Sequence, residues 1–211
     1  MDFSNLKRNG IIKTCCFNLT FLSLLIMNGT RKTMQALVER VQKGDKNAFG
    51  EIYDLLLDKI YRFIFFRVGN KEDAEDLTEN VFVKIWKNIS SYENKGLPFE
   101  AWAFRIARNT VIDFYRTKKQ KITLTDNIKE TVADEKETHE ELLHNQMLKE
   151  VIFSKMKSLP DSYREIIILK FIEEKDNKEI SEILEKPEDQ VRVLQSRALK
   201  ALKTLIYEKQ N

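Results

Sequence analysis

Proline and glycine are scarce, three and six in 211 residues. Sheets and barrels need such turn-forming residues in quantity, so their shortage favours an all-α fold. Cysteine is nearly absent as well. The only two, Cys15 and Cys16, are adjacent, cannot supply a disulfide framework, and belong to no Cys/His spacing of the kind that holds zinc. The two histidines, His139 and His144, sit in an acidic stretch away from any Gly-rich or Ser-rich motif. Without a catalytic constellation the chain reads as a non-enzyme, with no metal, no cofactor and no small-molecule substrate. A membrane-spanning run is missing too: Cys15 to Met27 is apolar over 13 residues but interrupted by Asn18, Thr20 and Ser23, too short to cross a bilayer. Asn28-Gly29-Thr30 behind it is not a small-residue cleavage site, which argues against a secretory signal. Residues 1–33 are expected to be a disordered extension or untranslated sequence upstream of a start at Met27 or Met34, with a weak membrane tether as the alternative. The rest is expected to be cytoplasmic.

Net basicity is weak as well. Of the overall +3, the first 33 residues contribute Lys7, Arg8, Lys13, Arg31 and Lys32 against Asp2, which leaves the remainder slightly acidic. Whole-chain charge therefore says nothing of nucleic acid, and only its local distribution can.

What the chain does have is helical periodicity in two blocks. From Met34 to about Lys119 apolar residues recur at helical spacing. Between Asp126 and Glu141 seven acidic residues face only Lys129 and Lys136, which reads as an acidic linker. Periodicity resumes at Leu142 and runs to about Tyr207. Two small helical domains, 34–119 and 142–207, joined by a flexible linker over 120–141, are the expected architecture.

In the first block Asp45 is placed to cap a helix whose Phe49, Ile52, Tyr53, Leu56, Ile60, Phe63 and Ile64 share one face. A second helix, from about Lys71 to Ile89, opens with Glu72, Asp73, Glu75 and Asp76, which suit the positive end of its dipole. Ala74, Leu77, Val81 and Ile85 form its inward stripe, while Asp76, Glu79 and Asn80 form either a solvated face or a match for a basic partner. A third helix begins near Pro98, with Ala103, Ile106, Ala107 and Phe114 inward. Its opposite side carries Arg105, Arg108, Asn109, Ile112, Arg116 and Lys119, and from Arg105 to Lys121 six basic residues face one acidic residue. Such a stripe suits phosphates, and Tyr92, Phe99, Trp102, Phe104 and Tyr115 around it could stack on unstacked bases, although each alone fits a core better, Trp102 alone fitting either equally.

In the second block Leu159-Pro160-Asp161 starts a helix through Lys170, with Arg164 on its exposed side. A short helix over about Asn177 to Leu184 is followed by a four-residue turn, Glu185 to Glu188. The longer helix beyond it turns Val191, Leu194, Ala198, Leu202 and Leu205 inward. This spacing fits a helix-turn-helix. The outer face presents Glu188, Arg192, Gln195, Ser196 and Lys200, with Arg197 nearby, suited to a major groove. A helical hairpin with solvated cations is the blander alternative.

Taken together these segments resemble the extracytoplasmic-function class of bacterial RNA polymerase sigma factors. The resemblance rests on Gly44-Asp45, Ala48-Phe49 and Tyr53; on Asp73-Ala74-Glu75-Asp76-Leu77 with Phe82 and Trp86; and on Trp102 with Ile106-Ala107-Arg108-Asn109, Asp113 and Arg116. In the second block it rests on Leu159-Pro160, Arg164, Lys178-Glu179-Ile180 and the run from Val191 to Leu199. It implies sigma region 2 in the first block and sigma region 4 in the second. It further implies that Asp76, Leu77, Glu79, Asn80 and Phe82 dock on core RNA polymerase. Trp102, Arg105, Arg108, Asn109, Asp113, Arg116 and Lys119 would bind the single-stranded minus-ten element of promoter DNA. Glu188, Arg192, Gln195, Ser196, Arg197 and Lys200 would read the duplex minus-thirty-five element. An anti-sigma factor is the further partner implied. The sequence departs from the family where Glu79-Asn80 replaces Gln and an acid, and where Glu185 stands in place of a frequent turn glycine. The rival class is a stand-alone helix-turn-helix regulator, which would need a dimer seam, and no heptad pattern supplies one.

Overall fold

The computed structural model describes residues 33–94, 96–124 and 154–207, and among these there is helix and no strand. The extension 1–32 and residues 125–153 lie outside the described residues; of the expected linker 120–141, residues 120–124 are not linker but the end of the helix Phe99–Leu124. Among the described residues, seven α-helices longer than one turn follow in order: α1 over 33–42, α2 Asn47–Val68, α3 Lys71–Asn88, α4 Phe99–Leu124, α5 Asp161–Ile167, α6 Asn177–Leu184 and α7 Glu188–Tyr207. None is long and apolar enough to cross a membrane.

The chain divides into two units, one ending at Ile52 and one beginning at Tyr53. In the first, Leu37, Val38, Ala48 and Ile52 are buried. The turn between α1 and α2 is held by charge. Arg40 donates to Asp45 Oδ2 at 2.9 and 2.7 Å and to Glu51 Oε1 at 3.0 Å, while Asp45 Oδ1 accepts from the N–H groups of Asn47 and Ala48. The Arg40 guanidinium thereby holds the Asp45 carboxyl below the usual range. Asp45 caps α2 as its position in the sequence suggests.

In the second unit α2 buries Leu56, Ile60, Phe63 and Ile64 completely, and α4 contributes Ala101, Ala103, Phe104, Ala107 and Val111. Phe63 meets Phe104 edge to face at 5.4 Å, the geometry that ring quadrupoles favour. Helix α3 packs on α4 through Ala74, Leu77, Thr78, Val81, Phe82 and Ile85. It starts where Asn70 Oδ1 accepts the Asp73 N–H at 2.9 Å, behind Gly69. That glycine has φ +72°, a conformation side chains with a Cβ rarely adopt, so the backbone calls for glycine there; a Cβ would meet only the flexible end of Lys157, 2.8 Å from its Cε. Tyr53, expected inward, is 38% exposed and leans on Phe82 at 4.5 Å. One residue past the buried Ile52, it has rotated to the rim of the stripe.

The second half packs α5 and α6 on α7, over Ile166, Ile167, Ile168, Leu169, Ile180, Ile183, Leu184, Val191 and Ala198. The α5 helix does not continue as α through Lys170. At Ile168–Ile172 it widens into a π-turn, in which the Glu173 N–H donates to the Ile168 carbonyl at 2.9 Å. Nor does Arg164 lie on an exposed side. It is largely buried and donates to the carbonyls of Met156 (2.9 Å), Lys157 (2.7 Å), Leu159 (3.0 Å) and Arg67 (3.1 Å). These carbonyls end the short helical turn at 154–157, the bend behind it and α2, where backbone acceptors lack helical partners. A planar cation with five donors can serve them all.

Helix α6 opens with a complete capping box: Asp176 accepts the Glu179 N–H at 2.7 Å, and Glu179 accepts the Asp176 N–H at 3.1 Å. Asp176→Ala should therefore destabilise the protein by about 1 kcal/mol in urea unfolding. No change in the midpoint would mean that α6 is held by packing alone. The helix ends at Glu185 in the left-handed region, φ 55° and ψ 44°. Its N–H and that of Lys186 both donate to the Ser181 carbonyl, and Ser181 Oγ donates to the Lys186 carbonyl at 2.6 Å. The turn keeps the helix-ending geometry that glycine usually supplies, with a glutamate carrying the strain. Helices α6 and α7 are thus a helix-turn-helix.

Candidate nucleic-acid interface

Three surfaces collect the residues singled out in the sequence. On α3, Asp76, Glu79 and Asn80 are exposed, but Leu77 and Phe82 are buried and belong to the core beneath them. The apolar part of this surface comes instead from Val83 and Trp86, each 42% exposed, with Tyr53 beside Phe82. Val83 and Trp86 follow Glu79 and Asn80 at helical spacing, an apolar continuation of an acidic face. An exposed cluster of this kind, rimmed with charge, is what a protein partner covers. The signal was present in the sequence as apolar residues off the core stripe.

The second surface is α4. Pro98 precedes its first turn and accepts the Trp102 N–H at 3.0 Å. Ahead of it, Tyr92, Phe99 and Trp102 form a ring cluster with centroids 5.1 and 5.2 Å apart, and the Tyr92 hydroxyl donates to the Leu97 carbonyl at 2.7 Å. Burial pushes the Tyr92 hydroxyl up to about 12, so it stays a donor at physiological pH. Tyr92, Phe99 and Phe104 are buried and Trp102 is partly exposed. Within the Tyr92, Phe99 and Trp102 cluster, Trp102 is the ring left partly open. Tyr115 donates to the Arg67 carbonyl and serves packing.

The polar residues of the α4 stripe divide in two. Asn109 and Arg116 are exposed, with Arg116 paired to Asp113 at 3.2 Å, and Lys119 lies further along the same helix. Arg105 and Arg108 are half-buried. Arg105 donates to the Glu182 carbonyl at 2.6 Å and pairs with Glu185 at 3.3 Å, and Arg108 lies 3.2 Å from Glu165. All these acceptors are in the second half.

The third surface is the outer side of α7. Arg192, Ser196, Arg197 and Lys200 are exposed, and Glu188 and Gln195 partly so. Arg192 is held by Glu188 and Asp189 on its own helix, and Gln195 Nε2 donates to Asn177 Oδ1 at 2.9 Å, tying the two helices of the motif together. Val191 and Ala198 are buried beneath. Leu194, Leu202 and Leu205, expected inward, are only partly covered.

A helix-turn-helix with a cationic outer helix, beside a helical bundle carrying a basic and aromatic stripe, defines a DNA-binding protein. Residues 52–121 match the family described as Sigma-70 region 2, and residues 150–202 match Sigma-70, region 4. The ECF RNA polymerase sigma factor SigW of Bacillus subtilis (strain 168) is 33% identical over 174 residues, covering 79% of this chain and 92% of that protein. The ECF RNA polymerase sigma factor BldN of Streptomyces coelicolor is 30% identical over 173 residues, covering 82% of this chain and 66% of that one. Among solved structures, the sigma factor RpoE from Bartonella quintana, in complex with the anti-sigma factor NepR, shares the fold at a TM-score of 0.64 and 22% identity, over 77% of this chain and 98% of its own. The chain belongs to the extracytoplasmic-function sigma factors of the sigma-70 family. Its function is promoter recognition in transcription initiation.

Proposed function

We propose that the three surfaces divide this work. The α3 face, Asp76, Glu79 and Asn80 with Val83 and Trp86, docks on core RNA polymerase; Leu77 and Phe82 hold that face in shape from below. The α4 stripe, Trp102, Arg105, Arg108, Asn109, Asp113, Arg116 and Lys119, binds the melted minus-ten element, with Trp102 stacking and the cations on phosphates. Unstacking a base costs a few kcal/mol, so this surface works once the polymerase holds the DNA open. The α7 face, Glu188, Arg192, Gln195, Ser196, Arg197 and Lys200, enters the major groove at the minus-thirty-five element. In this division region 2 occupies 34–124, the acidic linker 125–141 and region 4 142–207. Working beside polymerase, the protein acts in the cytoplasm. An anti-sigma factor is proposed as its regulator, in line with the complex in which the Bartonella quintana relative was solved.

The observation that carries this reading is the coexistence, on one chain, of a groove-sized cationic helix in a helix-turn-helix and a separate stripe bordered by a partly open tryptophan. A stand-alone operator binder has use for the first and none for the second. Replacing Arg192 and Arg197 with Ala should weaken promoter binding by about 1–3 kcal/mol for each base that is no longer read. Unchanged promoter-specific transcription by the double variant would remove α7 as the reader.

A further inference from the structure

Val193 is out of pattern on α7. It comes two residues after the buried Val191, which places it about 200° around the helix, on the side away from the core. It is 48% exposed. Its four neighbours one turn away, Asp189, Gln190, Ser196 and Arg197, are all exposed and polar, and Lys200 continues the same strip. The other two exposed apolar residues of this helix have company. Leu199 lies one turn from the partly covered Leu202, and the Tyr207 ring lies 5.9 Å from Lys203 Nζ. Nothing in the helix itself asks for valine at 193. A β-branched side chain is a poorer helix former than the Lys, Glu or Ala that suit an exposed position.

Resting on the reading of α7 as the reader of the minus-thirty-five element, we propose that Val193 is a specificity-determining residue that packs on the C5-methyl group of a thymine. The major groove singles out this target. Its base edges present nitrogen and oxygen donors and acceptors, and the thymine methyl is the apolar group among them. A valine pressed on a donor or acceptor of another base strips its water and returns no hydrogen bond, which is unfavourable. Against the thymine methyl both partners leave water, which is favourable. One apolar side chain thus rewards thymine and penalises its competitors in the same place.

The side chain is suited to this in its stiffness as well. In a helix valine keeps to one χ1 rotamer, so its methyls are presented in a fixed position and little freedom is lost on docking. The cations around it have a different task. Arg192, beside it, is held by Glu188 at 3.4 Å and Asp189 at 2.9 Å, and Arg197 follows one turn on. They bring charge to the groove, and Val193 adds a discrimination that charge does not carry. The minus-thirty-five block should therefore contain an A·T pair whose thymine meets Val193.

The test is a double substitution cycle on duplex promoter bound by the holoenzyme, after a promoter library has given the preferred minus-thirty-five block. Each thymine of that block, on either strand, is replaced in turn by deoxyuridine, which removes the methyl and nothing else. At one thymine the wild-type holoenzyme should bind about fourfold more weakly, the worth of one buried methyl group. The Val193→Ala holoenzyme should not respond to the same replacement. Since no charge is involved, the wild-type loss should be equal at low and high salt, unlike the loss of a cation. Val193 is exposed and alanine is the better helix former, so the variant folds. A block without an A·T pair, deoxyuridine silent at every thymine, or an equal cost to wild type and variant would each show that Val193 reads no thymine. The Arg192→Ala, Arg197→Ala holoenzyme examines the reading beneath. Loss of minus-thirty-five selectivity there, beside a silent deoxyuridine series, overturns the inference alone. Retained selectivity there removes α7 as the reader, and the inference with it.

Discussion

Reversing the acidic face of α3 with Asp76→Lys and Asn80→Lys will cut the affinity for core polymerase by at least a hundredfold and reduce promoter-directed transcription to background. Both side chains are exposed and lie outside the buried stripe of α3, so the fold survives and circular dichroism will be unchanged. The size of the effect follows from like charges placed opposite a basic partner, which costs several kcal/mol. Leu77 is the wrong residue for this experiment. It is buried under the face, and truncating it would create a cavity costing roughly 2–5 kcal/mol and confuse unfolding with failure to dock. Normal co-purification of the double lysine variant with polymerase would show that docking uses another surface. Trp86→Ala, which removes the largest exposed ring of the cluster, separates the apolar contribution from the charged one.

The second large effect concerns stability. Arg164→Ala removes donors from four carbonyls at once, three of them within the second half. Charge-assisted bonds of this kind are worth about 1.5–3 kcal/mol singly and do not add, so a decrease of about 3 kcal/mol is expected in urea unfolding. Arg164→Lys will recover little, since one ammonium cannot reach acceptors spread around a planar fork. A decrease under about 0.5 kcal/mol in the alanine variant would mean that those carbonyls are served by water.

Arg164 also shows where sequence reasoning runs short. Read from periodicity, a cation three residues into a short helix belongs on the solvent side. The acceptors that bury it are chain ends at 156–159 and at Arg67, far apart in sequence, and no local pattern announces them. The same holds for Arg105 and Arg108: the sequence places them on the polar side of α4, correctly, but the glutamates that cover them come from the other half. Features fixed by neighbours along the chain were legible. Asp45 and Pro98 mark helix starts that the structure shows, and the buried stripe of Ala74, Leu77, Val81 and Ile85 follows from spacing. The π-turn was not legible, because a run of four apolar residues from Ile166 to Leu169 is equally compatible with a continuing α-helix. Glu185 is instructive in another way. A turn glycine is the cheap solution for a left-handed residue, but three hydrogen bonds around Ser181 hold the same geometry with glutamate.

Transcription from a promoter library, reconstituted with core polymerase and this chain alone, tests the division of labour most directly. Start sites should be selected through two conserved blocks upstream. The Arg192→Ala, Arg197→Ala holoenzyme should lose selectivity in the farther block only, and the Arg105→Ala, Arg108→Ala holoenzyme should weaken at the nearer block only. Failure to select any block, or exchange of the two effects, would contradict it.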